Sequence, residues 1–278
     1  MELGICSYSF HRLLAAGKQD IFRYINDCAE LGCTQLDPWN AHLADLKSGD
    51  AALSAGRGGP QAQELLSVAD GEYIDKVEEA ADRSGLPWGC IAVDGAHIYE
   101  PTEEGRRANR QRAYRWLQIA DKLGAEQVRI DAGGPEDMPD EAFGAIVAGY
   151  NDLIKRARPM GIEILFENHW GPTVIPDNCV RLCESIDGLG MLLDTHNWKD
   201  GLRDEGRRKC AKFAKATHIK TLNWEGEREV GENAEEAIKI LQENGYRGAW
   251  GIESVPVDGD EYAGARKTID LIRRCVGE

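Results

Sequence analysis

EILFENHW, residues 163–170, decides the fold. Its apolar run Ile164–Leu165–Phe166 ends on a carboxylate, Glu167, followed at once by Asn168 and His169. A strand covered on both faces reads this way: near-continuous apolar sequence, with polar groups held back to its C-terminal end. The pattern recurs. MLLDTHNW (191–198) delivers Asp194, THIKTLNW (217–224) delivers His218, and AWGIES (249–254) delivers Glu253. The four are separated by 27, 24 and 35 residues (167 to 194, 194 to 218, 218 to 253), and each gap holds one helix.

Outward from these runs the same rhythm fills the chain. Strands are expected at 3–8, 34–39, 89–94, 127–132, 163–168, 191–195, 218–223 and 250–254. Between them lie stripes of helical period: Ala113, Trp116, Leu117, Ala120 and Leu123 in one helix, Tyr262, Ala265, Ile269, Ile272 and Val276 in the last. Gly124, Gly161 and Gly245 stand where helices should stop. Repeating strand–helix order predicts a parallel sheet. Eight units predict an α/β (β/α)₈ barrel over residues 1–278, one domain, and 278 residues suffice for a fold that needs about 250. An open doubly wound sheet is the alternative, but SYSFHRLL after the first strand lacks its glycine-rich phosphate turn. The long connection 40–70, with SGDAALSAGRGGPQAQ inside it, is expected to be a lid or a contact in a homo-oligomer.

Composition narrows the function. With 33 Lys and Arg against 48 Asp and Glu, the net charge is −15, which repels a phosphate backbone and predicts no nucleic-acid partner. No stretch approaches the roughly 20 apolar residues of a membrane span, and MELGICSYSF does not start like a signal peptide. A cytoplasmic protein without membrane contact is expected. The eight cysteines form no CxxC pair, as expected of free thiols in a reducing compartment.

In a barrel the strand C-termini share one rim, where active sites form. Three carboxylates and one imidazole come to that rim, where the carboxylates would repel one another without a cation. As a mixed hard and borderline donor set they suit one divalent ion: Mn²⁺ first, or Mg²⁺, Co²⁺ or Zn²⁺. Each donor alone reads equally well as a salt bridge or a cap; four at corresponding positions do not. Lys220, two residues beyond His218, shares its barrel-facing side and is a candidate for a substrate carbonyl or oxyanion. Arg129 in QVRIDA should sit inside the barrel beside Asp131. His169 and Asn168 follow a ligand directly, as do His196 and Asn197 after Asp194. His97, Trp39, Trp170 and Trp198 could wall a sugar ring, and Asp37 could support or touch substrate.

FENHW, LLDTHNW, HIK and GIES together give a chain that resembles the xylose-isomerase-like TIM barrels along essentially its whole length. That superfamily holds sugar isomerases, ketose 3-epimerases, inosose dehydratases, hydroxypyruvate isomerases and AP endonucleases. The resemblance implies that Glu167, Asp194, His218 and Glu253 bind one divalent metal. It further implies that Glu167 and Glu253 form the acid/base pair of enediolate chemistry on a sugar or polyol-derived keto compound. It leaves room for a dehydratase or lyase on a keto-polyol or 3-keto-glycoside, for an AP-endonuclease-like phosphodiesterase, and for a non-catalytic sugar-binding barrel. Two positions depart from the ketose 3-epimerase pattern. Asn197 stands where a substrate-binding His follows the metal Asp, and Trp224 where an Arg follows the metal His.

Overall fold

The structure, a computed structural model, describes residues 1–44, 46 and 71–277. Most of the 40–70 connection, read from sequence as a lid or oligomer contact, lies outside the described residues. Seven parallel strands form the sheet: β1 (Leu3–Ile5), β2 (Cys90–Val93), β3 (Gln127–Ile130), β4 (Glu163–Glu167), β5 (Leu189–Asp194), β6 (Ala214–Thr221) and β9 (Trp250–Ser254), in the order β1-β9-β6-β5-β4-β3-β2. The pair β7 (Asn223–Glu225) and β8 (Arg228–Val230) is a separate antiparallel hairpin. No helix among the described residues is long and apolar enough to cross a membrane.

The barrel closes where the sequence predicts its second strand, but residues 34–39 make only isolated bridges. Cys6 pairs with Asp37, Leu36 with Trp88 and Trp39 with Ala92. The reason is local. Pro38 has no N–H to give a ladder, and the Asp37 N–H donates to the Tyr24 hydroxyl at 2.8 Å instead of to a strand. The first strand is likewise shorter than expected, because Ser7–Phe10 coils into a 3₁₀ turn. Helices begin and end by ordinary capping. The Asp20 carboxylate accepts from the Arg23 N–H at 2.8 Å, and Gly124, Gly161 and Gly245 take φ of 70°, 75° and 77° at the stops read from sequence.

Side-chain parity organises the core. Ile164, Phe166, Met191, Leu193, Ile219 and Ile252 belong to the large cluster shared by sheet and helices. Residues of the opposite parity, Leu165, Leu192 and Ala216, join Cys90 in a small cluster inside the barrel. One step further toward the C-terminal rim on this inward parity come Glu167, Asp194 and His218, so on these three strands the inward face is apolar below and polar above.

Candidate functional site

The inward parity of five strands delivers Arg129, Glu167, Asp194, His218, Lys220 and Glu253 to the C-terminal end of the barrel, and all six are buried. Sheet register assists: Asp194 is the partner of His218 across β5 and β6, and Lys220 of Glu253 across β6 and β9. Gly251, the inward residue before Glu253, has no room for a side chain, since a Cβ there would lie 2.0 Å from the Thr217 carbonyl oxygen.

Ligand atoms of Glu167, Asp194, His218 and Glu253 all lie within 4.8 Å of one another. His218 Nδ1 stands 3.1 Å from Glu167 Oε1 and 2.9 Å from Glu253 Oε2. Lys220 Nζ bridges Asp194 Oδ2 at 3.2 Å and Glu253 Oε1. Arg129 Nε lies 3.1 Å from Glu167 Oε2, and its Nη1 reaches Asp94 at 2.8 Å and Asp131 at 3.1 Å. Glu167 Oε2 and Asp194 Oδ2 are buried oxygens that accept no hydrogen bond among the described residues. Each of these oxygens faces one cation, Arg129 or Lys220, without a hydrogen bond, and within a four-donor set both are suited to coordinate a divalent cation.

Electrostatics follow from these contacts. Burial by itself raises a carboxyl pKa, but Lys220 and His218 hold Glu253 well below the usual range, and His218 and Arg129 lower Glu167. Both are carboxylates at neutral pH. Asp194 goes the other way: burial raises it, against the pull of Lys220. Burial opposes charge on His169, yet Asp131 and Glu167 outweigh it and bring the ring to about 9.

At the four donors opens a narrow cleft lined by Cys6, Tyr8, Trp39, Asp94, Arg129, Glu167, His169 and Glu253. Of the residues expected to meet substrate, His169, Arg129 and Trp39 are there. His169 Nδ1 is held by Asp131 at 2.9 Å, and the Trp39 indole donates to Asp94 at 2.9 Å. Lys220 is not in that lining and lies among the donors. Asn168 is fully buried, its amide bonded to the Asp194 backbone in both directions (2.8 and 2.9 Å), so it braces β5. The Asn197 N–H donates to Asp194 Oδ1 at 2.9 Å. His196 turns to Glu232, just beyond the hairpin. His97 binds Glu100 at 2.5 Å and lies edge-on to Trp170, beside the cleft and not in its lining. Trp198 is buried where a side chain on Gly206 would strike it, so it is packing and not wall. Asp37 is inside the barrel, accepting from the Cys90 N–H at 2.9 Å and from Gln35 at 2.7 Å.

The sequence reading missed Asp94, which ends GCIAVD as Glu167 ends its own strand, and Cys6 and Tyr8 after the first strand. Asp94, Asp131 and His169 form a second donor cluster, whose charge Arg129 already meets. Cys6 groups with His218 and Glu253.

Residues 25–275 match the family model described as xylose isomerase-like TIM barrel. No curated protein matches the chain in sequence. Among solved structures, the chain is similar to a D-psicose 3-epimerase with D-tagatose from Clostridium cellulolyticum H10 (14% identity, TM-score 0.73, 99% of each chain covered). It is similar to the IolI protein with a bound zinc atom (14% identity, TM-score 0.69, 99% of each chain). A third is the 3-keto-D-glucoside 4-epimerase YcjR from E. coli (13% identity, TM-score 0.68, 92% of this chain and 95% of that one). At these identities the likeness is one of fold.

Proposed function

Since the chain belongs to the xylose isomerase-like TIM barrel family, we propose that it is a divalent-metal-dependent isomerase or epimerase of a sugar or polyol-derived keto compound. One observation carries the reading: four donors from four neighbouring strands converge within 4.8 Å at the rim, two of them with buried oxygens that accept no hydrogen bond among the described residues. Glu167, Asp194, His218 and Glu253 would hold the ion, with Mn²⁺ the first expectation. When bound, it supplies Lewis acidity to a carbonyl and its neighbouring hydroxyl, which acidifies the carbon-bound proton between them.

The protein's own groups do the rest. Glu167 and Glu253 both line the cleft, from β4 and β9, with the two strands between them in the sheet. Both start as carboxylates: one removes the proton from carbon, and the other, after taking up a proton from water or a substrate hydroxyl, delivers it to carbon, on the opposite face for epimerisation or at the neighbouring carbon for isomerisation. Arg129 and Lys220 keep the two carboxylates ionised and ready to act as bases. His169, fixed by Asp131, offers a ring nitrogen to a substrate oxygen from the cleft wall.

That last placement favours a second reading, a dehydratase or lyase. The same proton abstraction, followed by departure of a β-hydroxyl that takes up a proton from His169, yields water and an unsaturated ketone.

The test is proton exchange. Purified protein loaded with Mn²⁺ is incubated with a panel of ketoses and 3-keto-glycosides in D₂O. Carbon-bound deuterium incorporation that vanishes in Glu253→Gln supports the proposal; a new alkene signal selects the second reading. Protein that neither binds a divalent ion nor exchanges any substrate proton rejects both.

A further inference from the structure

Cys6 extends the row of donors by one strand. It follows β1, and its N–H donates at 2.7 Å to the carbonyl of Ile252, the residue before Glu253. The parallel register of β1 on β9 pairs Leu3 with Trp250, Gly4 with Gly251 and Ile5 with Ile252, so one step further sets Cys6 level with Glu253. Along the sheet order β1-β9-β6-β5-β4, the rim then reads Cys6, Glu253, His218, Asp194 and Glu167. Five adjacent strands each bring to one place a side chain able to ligate a metal.

The sulfur meets the donors themselves. Ligand atoms of Cys6, His218 and Glu253 lie within 4.8 Å of one another, and Cys6 lines the cleft together with Glu253 although it is buried. A role as core filler would account for its contacts with Leu14, Trp39 and Ala41. It does not account for a sulfur set beside an imidazole and a carboxylate. The other buried cysteines behave as fillers. Cys90, also inside the barrel, packs on Leu165, Leu192 and Ala216, and Cys28, Cys33, Cys179 and Cys210 lie in the large core. Among the described residues, Cys6 is the cysteine grouped with other side chains able to hold a metal.

Sulfur changes what the set selects. Carboxylates and imidazole accept hard and borderline ions alike, whereas a thiolate favours Zn²⁺ and gives little to Mg²⁺ or Mn²⁺. The thiol would bind as thiolate, its proton passing to solvent as the cation arrives. We propose that Cys6 is a fifth metal donor, which shares His218 and Glu253 with the oxygen-rich set and makes the site favour thiophilic divalent ions, Zn²⁺ and Co²⁺, over Mn²⁺ and Mg²⁺. Mn²⁺ would still be held by the other four donors, without sulfur. The inference rests on the proposed metal reading of Glu167, Asp194, His218 and Glu253.

Metal-free, reduced protein titrated with Co²⁺ and followed by absorption, then with Zn²⁺ and Mn²⁺ by calorimetry, tests it. Co²⁺ should raise a thiolate-to-cobalt charge-transfer band in the near ultraviolet that is absent from Cys6→Ser and from His218→Asn. Loss of an outer-shell partner alone costs about tenfold or more in metal affinity, so Zn²⁺ affinity should fall at least about tenfold in Cys6→Ser and in Cys6→Ala. Mn²⁺ affinity should change little in the same two variants, which also shows that they fold. The proposal is overturned if the wild type gives no such band, if the band survives in Cys6→Ser or His218→Asn, or if Zn²⁺ and Mn²⁺ affinities fall equally, which would mark Cys6 as packing. Mn²⁺ binding without a thiolate band removes this inference alone. Failure to bind any divalent ion removes it together with the metal reading.

Discussion

Lys220 and Glu253 are partners twice over: they face each other in register across β6 and β9, and their side chains form an ion pair inside the barrel. The ammonium also reaches Asp194 at 3.2 Å, so one cation serves two carboxylates of the donor set. Removing one member of a buried charge network leaves the others uncompensated, at a typical cost of about 3–5 kcal/mol. Lys220→Met should therefore lose on the order of 3 kcal/mol in urea melts without metal. Added Mn²⁺ should stabilise this variant more than the wild type, because the ion replaces the missing charge. A loss below about 1 kcal/mol would show that Lys220 is not the counter-charge.

Metal binding itself should be visible as stability. An ion present at about 100 times its Kd adds about 2.7 kcal/mol, or roughly 5–10 °C in Tm for a chain of this size. Glu167→Gln, His218→Asn and Glu253→Gln should each shrink the Mn²⁺-induced shift and lower activity by at least about a hundredfold. Asp194→Asn should also lower the metal-free Tm, since it removes the charge that Lys220 meets at 3.2 Å. A shift of wild-type size in all four variants would place the ion elsewhere.

The acid limb of stability should carry the mark of His42. This ring is buried, bonded through Nδ1 to the Ser7 hydroxyl at 2.9 Å, and held to about 3 by burial and by nearby His11. Unfolded, it titrates near 6.5. Between those values the unfolded chain binds a proton that the folded chain refuses, so stability is intact above about 6.5 and falls as pH drops toward 3, by about 1.4 kcal/mol per unit from this group alone. Denaturation at pH 7, 6, 5 and 4 should give a shallower decline for His42→Gln than for wild type. Parallel declines would reject the assignment.

Gly251 precedes Glu253 by two residues, and an added methyl would meet the Thr217 carbonyl oxygen at 2.0 Å. Backbone cannot yield as a side chain can. Gly251→Ala should cost about 1–3 kcal/mol by overpacking and should weaken Mn²⁺ binding by displacing Glu253. Unchanged Mn²⁺ affinity in a destabilised variant would separate packing from the site.

The four donors were legible because one rule located them all: a strand buried on both faces keeps its polar residue for the inward position at its end. The same rule would have found Asp94. It failed at 34–39, where TQLDPW has the composition of a strand, but its ladder is interrupted by Pro38 and by Tyr24, a residue on a neighbouring helix that local sequence cannot connect to Asp37. Asn168 shows a similar gap. Adjacency to Glu167 suggested substrate, while its bonds to the Asp194 backbone, 26 residues away, are a tertiary contact that local sequence does not reveal. The β7–β8 hairpin escaped because its two strands have three residues each, with polar sequence and no apolar alternation.

The donors Glu167, Asp194, His218 and Glu253 stand on β4, β5, β6 and β9, four neighbours joined edge to edge. Trp39, in the lining of the same cleft, stands on the segment where the barrel closes by three bridges only, and its indole is tied to Asp94 at the end of β2. The cleft thus has one stiff jaw and one compliant jaw. Isolated bridges open more locally than a continuous ladder, so breathing at the closure changes the width of the cleft while the spacing of the donors stays fixed. Adaptation to the outline of a substrate and preservation of the reacting geometry fall to opposite sides of the barrel, and amide exchange faster at Leu36, Asp37 and Trp39 than along β5 and β6 is the physical signature of that division.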